Sequence, residues 1–293
     1  MLQIGNHSFE WGKRTYIMGI INCTPDSFSG DGLMAAQDVI EAAVAQAHRF
    51  VAEGADILDI GGESTRPGSQ PVGAEEELAR VVPVIERIAQ ELDTVISIDT
   101  YKAGVGRGAL DAGAHLLNDV WAGRMDVEML PLAAERNVPI VLMHNRSRPK
   151  DVAQESILGG RYVGVQYDDL IKDIRMELME RVAAAQAVGI PLAHILLDPG
   201  VGFGKTVPQN LELLHRLDEI RVLGCPLLLG ASRKSFIGYT LDLPPDHRVE
   251  GTAATVAVGI TRGADMVRVH DVMAMARVAK MTDAIVRRYK EIP

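Results

Sequence analysis

Apolar runs of four to six residues recur along this chain, and most end on a polar or charged side chain. MGIIN closes on Asn22, ILDIGGESTR leads into Glu63 and Arg66, and VISID closes on Asp99. HLLND carries Asn118, ILLD closes on Asp198, and MVRVH carries Arg268 and His270. A seventh run, PLLLGASRKS, brings Arg233, Lys234 and Ser235 just past its end. Runs of this length read as strands buried on both faces. Helical segments separate them, so the strands should lie parallel. The pattern predicts strands near 17–22, 56–60, 95–99, 115–118, 139–143, 194–198, 226–230 and 266–269. It predicts helices near 36–52, 75–92, 102–112, 126–136, 165–188, 208–217, 249–262 and 272–289. Eight α/β units without a topological break favour a closed (β/α)8 TIM barrel over a doubly wound open sheet. In such a barrel the carboxyl ends of the strands gather at one mouth, where active sites sit.

One joint recurs. EGADILDI, DAGAHLLND and RGADMVRVH each set Gly-Ala between a helix and the next apolar run. Glycine there predicts a helix that stops in the left-handed region. The opening segment MLQIGNHSFEWGKR alternates and predicts a short hairpin closing the bottom of the barrel. The stretch 145–162 is the longest polar loop and reads as an elaboration after the fifth strand.

Length and charge narrow the picture. A chain of 293 residues matches the roughly 250 of one barrel, so residues 1–293 are expected to form a single domain. A net charge of −9 disfavours nonspecific nucleic-acid binding, which needs a basic surface. No run approaches the roughly 20 apolar residues of a membrane span, and the start has no secretory pattern. Cys23 and Cys225 form no CxxC, which predicts reduced thiols in a cytoplasmic protein. The amphipathic segment ARVAKMTDAIVRRYK is suited to a dimer contact.

Candidate chemistry clusters at the strand ends. NCTPDSFSGDG (22–32) is too long and polar for a tight turn, and it reads as a functional loop over the mouth. GGESTRPGS (61–69) offers hydroxyls and an arginine fit for bidentate anion binding, although a capped turn explains it too. DPGVGFGKT (198–206) fails as a phosphate loop, because Pro199 stands where that motif needs glycine. GVGRGA (104–109) lies inside a predicted helix and is a poor dinucleotide site. Asp99, Asn118 and Asp198 together suit the amino-pyrimidine edge of a pterin or purine, since carboxylates accept paired N–H groups and an amide does both. Taken singly, each also fits a helix cap. Asn22, Arg268 and His270 end the first and last strands, neighbours in a closed barrel, and suggest an anion site. No metal-ligand spacing of histidines occurs, and His144 alone reads as structural.

MGIINCTPDSFSGDG, DIGGESTRPG, SIDT, LLND, LDPGVGFGK, ASRKSFIG and RVHDV follow one another in this order. From about residue 17 to 271 the chain thereby resembles the dihydropteroate synthases of bacterial folate biosynthesis, the target of sulfonamides. The resemblance implies a TIM barrel, a homodimer and Mg2+. It implies condensation of 6-hydroxymethyl-7,8-dihydropterin pyrophosphate with p-aminobenzoate, releasing pyrophosphate. By position, it implies a pterin site of Asp99, Asn118, Met143, Asp198, Gly202, Phe203 and Lys234. It gives the pyrophosphate to Asn22, Arg268 and His270, and p-aminobenzoate to Phe28, Thr65, Arg66, Pro67 and Ser235. Asp99, Lys234, Arg268 and His270 would carry the catalysis, and Asn22 and Asp31 would meet the metal. The family's first loop usually ends SFSDGG where this chain has SFSGDG, which displaces that acid by one, to Asp31. The fifth strand also continues as LMHNRSRP, unlike the family's usual MHM. Two alternatives share the pterin pocket, a methyltetrahydrofolate–corrinoid methyltransferase and a catalytically silent pterin-binding relative. Neither needs the two loops and the anion residues together.

Overall fold

The computed structural model of the chain describes residues 1–24, 36–64, 69, 71–163 and 165–287. An antiparallel hairpin, β1 (Leu2–Ile4) and β2 (His7–Phe9), opens the chain. Six barrel strands and their helices follow: β3 (Tyr16–Asn22), α1 (Ala36–Ala52), β4 (Ile57–Gly61), α2 (Ala74–Glu91), β5 (Val95–Asp99), α3 (Ala103–Asp111), β6 (Leu116–Asp119), α4 (Met129–Arg136) and β7 (Ile140–Met143), then, after a small excursion, α5 (Leu170–Ala187), β10 (Ile195–Asp198) and α6 (Val207–His215). The excursion pairs β8 (Val152–Ala153) with β9 (Arg161–Tyr162). The last units are β11 (Leu228–Leu229), α7 (Ser235–Leu241), α8 (Val249–Thr261), β12 (Met266–Val269) and α9 (Val272–Val286).

The eight long-range strands are all parallel and lie in the order β10-β7-β6-β5-β4-β3-β12-β11. A bridge between Leu197 and Leu227 joins the two ends of that order, so the sheet closes nearly completely. This is the expected TIM barrel with its N-terminal hairpin. Its closure is thin at β11 because Pro226 has no N–H to give the ladder. There the Pro226 carbonyl accepts from Leu197 N at 2.9 Å, and regular strand is confined to Leu228–Leu229 instead of 226–230.

The recurring Gly-Ala joint works as the sequence suggests. Gly54, Gly113 and Gly263 have φ of +101°, +116° and +96°. In each case the next alanine returns its N–H to the carbonyl five residues back, at 2.9 Å. That is the Schellman closure, which satisfies orphan carbonyls at the helix end.

Two further elements depart from expectation. The 145–162 stretch holds the β8–β9 pair, and it is docked on the α7–α8 region by Tyr239 Oη to Gly159 O and Arg248 Nη2 to Leu158 O, each 3.0 Å. Two-residue strands carry no periodicity to read. Helix α7 is an addition between the seventh strand and α8, and it begins at Ser235.

The barrel interior has an apolar floor. Met18, Ile57, Val95, Leu116, Val141, Leu196, Leu228 and Met266 point inward and pack on Leu2, Ile4 and Phe9 of the hairpin. The alternate residues of the same strands, such as Leu58, Ile96 and Leu117, pack against the helices. No helix of the described residues is long and apolar enough to cross a membrane.

Candidate active site

Side chains two residues further along each strand face the same way as the floor. Above the floor, this places Asp59, Ser97, Asn118, Met143, Asp198 and Arg268 in one interior layer, with Asn22, Asp99 and His270 nearer the mouth. The register supports that reading, since Asp59 pairs with Ser97 and Asp198 with Met143, while the stagger of β6 against β5 sets Asp99 beside Asn118. A polar layer directly on an apolar floor is the signature of a site, because buried polar groups are costly without partners.

Arg268 organises the layer. Its Nε donates to Asp59 Oδ2 at 2.5 Å and its Nη2 to Asp99 Oδ2 at 2.6 Å. Asn118 Nδ2 donates to the same Asp59 oxygen at 3.0 Å, leaving its carbonyl oxygen for a ligand. Asp59 Oδ1, Asp99 Oδ1 and Ser97 Oγ are buried with no hydrogen-bond partner among the described residues. Orphaned buried acceptors of this kind call for donors from outside the chain. Burial pushes the Asp99 carboxyl up to about 7, with the Asp59 charge adding to it and Arg268 opposing. Burial pulls Arg268 down, but Asp59 and Asp99 more than offset this and hold it above its ordinary range.

Asp198 and Lys234 form the second cluster. Asp198 Oδ1 accepts from Gly200 N at 2.7 Å. Its Oδ2 and the Lys234 ammonium flank Gly230: a Cβ on that glycine would lie 3.6 Å from one and 3.9 Å from the other. Lys234 donates to Val201 O and stands 4.4 Å above the Phe203 ring centroid. Gly202 permits this approach, since its φ is +82° and a Cβ there would come within 2.6 Å of the Lys234 chain. Burial lowers Lys234 to about 8, against the pull of Asp198, and burial raises Asp198 above its ordinary value. The lysine is presented by a tight turn in which Arg233 has φ +55° and is pinned by Asp271 through Nε at 2.9 Å and Nη2 at 2.5 Å.

At the mouth, a Cβ on Gly61 would lie 3.8 Å from both Asn22 Oδ1 and Asp99 Oδ2, so those two oxygens face a common space. His270 is fixed by Ser232, whose Oγ accepts from His270 N at 3.1 Å and lies 3.0 Å from Nδ1. Glu63 accepts from Tyr101 Oη at 3.1 Å and Lys102 Nζ at 2.5 Å, and Arg80 Nη1 donates to Gly62 O at 2.8 Å. These contacts hold the start of the second loop. Ser235 is half-buried at the first residue of α7. Phe28, Asp31, Thr65, Arg66 and Pro67 lie outside the described residues.

Sequence reasoning overlooked Asp59 and Ser232. Asp59 had a readable signal: it sits two residues from Ile57 and two from Gly61, on the inward phase of a strand otherwise apolar.

A family described as pterin binding enzyme matches residues 18–270. The chain is 48% identical to a dihydropteroate synthase of Clostridium beijerinckii over 98% of this chain and 100% of that one. A dihydropteroate synthase structure from Clostridium difficile, determined in the presence of pteroic acid, superposes with a TM-score of 0.87 at 47% identity, covering 96% of this chain and 100% of that one. One from Xanthomonas albilineans with 4-aminobenzoic acid gives 0.84 at 42% identity, covering 96% and 95%.

Proposed function

The chain belongs to the dihydropteroate synthase family of pterin-binding enzymes, and on that premise we propose how its site joins 6-hydroxymethyl-7,8-dihydropterin pyrophosphate to p-aminobenzoate. The observation that carries the reading is the polar layer on the barrel floor, with unpaired acceptors on Asp59 and Asp99 and with Asp198 and Lys234 in the second cluster. An amino-pyrimidine ring offers N–H donors to Asp198 and Asp99, and its carbonyl oxygen accepts from Lys234. Met143 and Phe203 wall the ring. The exocyclic carbon then points to the mouth, beside Asn22 and His270.

In the reaction the carbon–oxygen bond to pyrophosphate breaks, and its electron pair leaves with the pyrophosphate. The arylamine nitrogen supplies the pair for the new carbon–nitrogen bond and then loses its proton. The dihydropterin spreads the developing positive charge, and Asp99 favours that charge when ionised. An N–H from His270 and the field of Arg268 meet the negative charge on the leaving group, a term often worth several kcal/mol. A weakly basic arylamine demands no strong general base.

Among the described residues no cluster of three or more His, Cys, Asp or Glu could hold a metal. The Asn22 amide oxygen is a hard donor, which fits Mg2+ held mainly through substrate phosphates. When bound, Mg2+ would neutralise pyrophosphate charge and help it depart. The p-aminobenzoate pocket is assigned to the loops with Phe28, Thr65, Arg66 and Pro67, and to Ser235. A cytoplasmic homodimer completes the proposal. In its favour, Cys23 and Cys225 are free and buried, and Met273, Met281 and Ile285 expose apolar surface on α9.

The test is turnover with both substrates and Mg2+, followed by chromatography. Dihydropteroate and an equal amount of pyrophosphate are expected. Product with a methyl donor and a corrinoid, and none with these substrates, would overturn the proposal.

A further inference from the structure

Lys205 touches none of the residues assigned to the reacting atoms, yet it is a buried ammonium, 2% exposed. Its Nζ lies 2.9 Å from His144 Nδ1 and donates to Gly200 O at 2.9 Å and Phe203 O at 3.1 Å. An ammonium has three donors, and these three acceptors use them all. None of them is a carboxylate. Burial accordingly pulls Lys205 well below its ordinary range, with the Asp198 charge opposing.

The lysine's donation to Nδ1 fixes the His144 proton on Nε2, which lies 3.1 Å from Glu177 Oε2. Burial, and then the Lys205 charge, push His144 down to about 3, so the ring stays neutral and can accept. Glu177 in turn accepts from Arg146 Nε at 2.7 Å. Glu177 of helix α5 thus stands beside the ring, although Nε2 makes no hydrogen bond among the described residues, and Lys205 links the ring to the back of the turn after β10.

The front of that turn carries the ring site. Its Gly200 N–H feeds Asp198, its Val201 carbonyl takes Lys234, and its Phe203 lies under the Lys234 ammonium. The turn does not need the lysine to close. Phe203 N already reaches Gly200 O at 3.1 Å, and Asn210 Oδ1 already accepts from Gly202 N at 2.6 Å. An apolar side chain would fill the same space without the desolvation of a cation. What the lysine adds is a pair of carbonyl tethers directly behind Asp198 and Phe203.

We infer that Lys205, oriented by His144, is a positioning residue for the pterin ring: it holds the Gly200–Phe203 turn in its ring-binding shape. The inference rests on the pterin reading of the site. It assigns no part in the bond changes to either residue.

The experiment is calorimetric titration of Lys205→Met, which keeps length and apolar volume. Affinity for 6-hydroxymethyl-7,8-dihydropterin, which lacks the pyrophosphate, should fall at least about tenfold, the scale of one or two lost polar contacts. Affinity for pyrophosphate with Mg2+ should stay within about twofold by the same scale. Phe203→Ala should also weaken ring binding less in the Lys205→Met background than in the native chain, because the two share one turn. Unchanged ring affinity, equal losses for ring and pyrophosphate, or strictly additive losses would overturn the inference. If Lys205→Met does not fold, the native protein carries the test by 15N NMR. The Lys205 ammonium resonance should shift on adding the pterin and not on adding pyrophosphate, and a resonance indifferent to the pterin would overturn the inference. Because the readout is ring binding and not turnover, failure of the condensation assay and failure here are told apart.

Discussion

Replacing Asp198 by asparagine changes one atom in the centre of the proposed ring site. In the native chain Oδ1 accepts from Gly200 N at 2.7 Å, while Oδ2 lies on the Gly230 side with Lys234. The asparagine oxygen must stay on the Gly200 side, since an NH2 there would face another donor. The NH2 then replaces Oδ2, opposite the ring donors and the Lys234 ammonium. Ring binding loses a hydrogen bond to a charged acceptor, about 1.5–3 kcal/mol, which is roughly 10- to 150-fold in affinity. Stability should not suffer in parallel. Burial raises the Asp198 pKa, so this group's stability contribution is full below the ordinary carboxylate pKa and is lost as pH rises through the folded value. At pH 7 the carboxylate is therefore a burden to folding, and the asparagine variant should melt at the native temperature or above it. Calorimetry with 6-hydroxymethyl-7,8-dihydropterin, beside thermal unfolding, checks both statements. Affinity within about twofold of native, in a folded variant, would refute the placement of the ring on Asp198.

Other outcomes follow from the same geometry. Arg268→Ala leaves Asp59 and Asp99 buried without their shared cation, so urea unfolding should show a loss of roughly 3–5 kcal/mol, a cost not foreseen when Arg268 was read as an anion ligand only. His270→Ala should weaken pyrophosphate far more than a pterin lacking phosphate; equal weakening in calorimetry would misplace the anion site. Lys234, lowered to about 8 by burial, loses its charge as pH rises past that value, so kcat/KM should fall above about pH 8. Lys234→Arg should remove that alkaline limb, whatever its effect on the plateau.

The barrel was legible because eight strands and their helices carry distinct periods, and because the Gly-Ala joint at Gly54, Gly113 and Gly263 marks three of the turns. The β8–β9 pair and the shortening of β11 were not legible. Two-residue strands have no period, and the loss of a ladder donor at Pro226 matters only once its neighbour is known. In the site, strand-end residues such as Asp99 and Asp198 stood out by position. Asp59 did not, because it lies inside a strand first read as apolar on both faces, and only the inward phase of Ile57 and Gly61 exposes it. Lys205 and His144 are 61 residues apart in the chain, and no local pattern announces that they meet.

The most direct test follows the bridging oxygen. Dihydropterin pyrophosphate labelled with 18O between the exocyclic carbon and phosphorus is turned over with p-aminobenzoate and Mg2+, and the products are weighed by mass spectrometry. Dihydropteroate free of label and all the 18O in pyrophosphate are expected, since the carbon–oxygen bond is the one that breaks. Label retained on a pterin alcohol, with no dihydropteroate formed, would mean attack at phosphorus and would contradict the proposed cleavage.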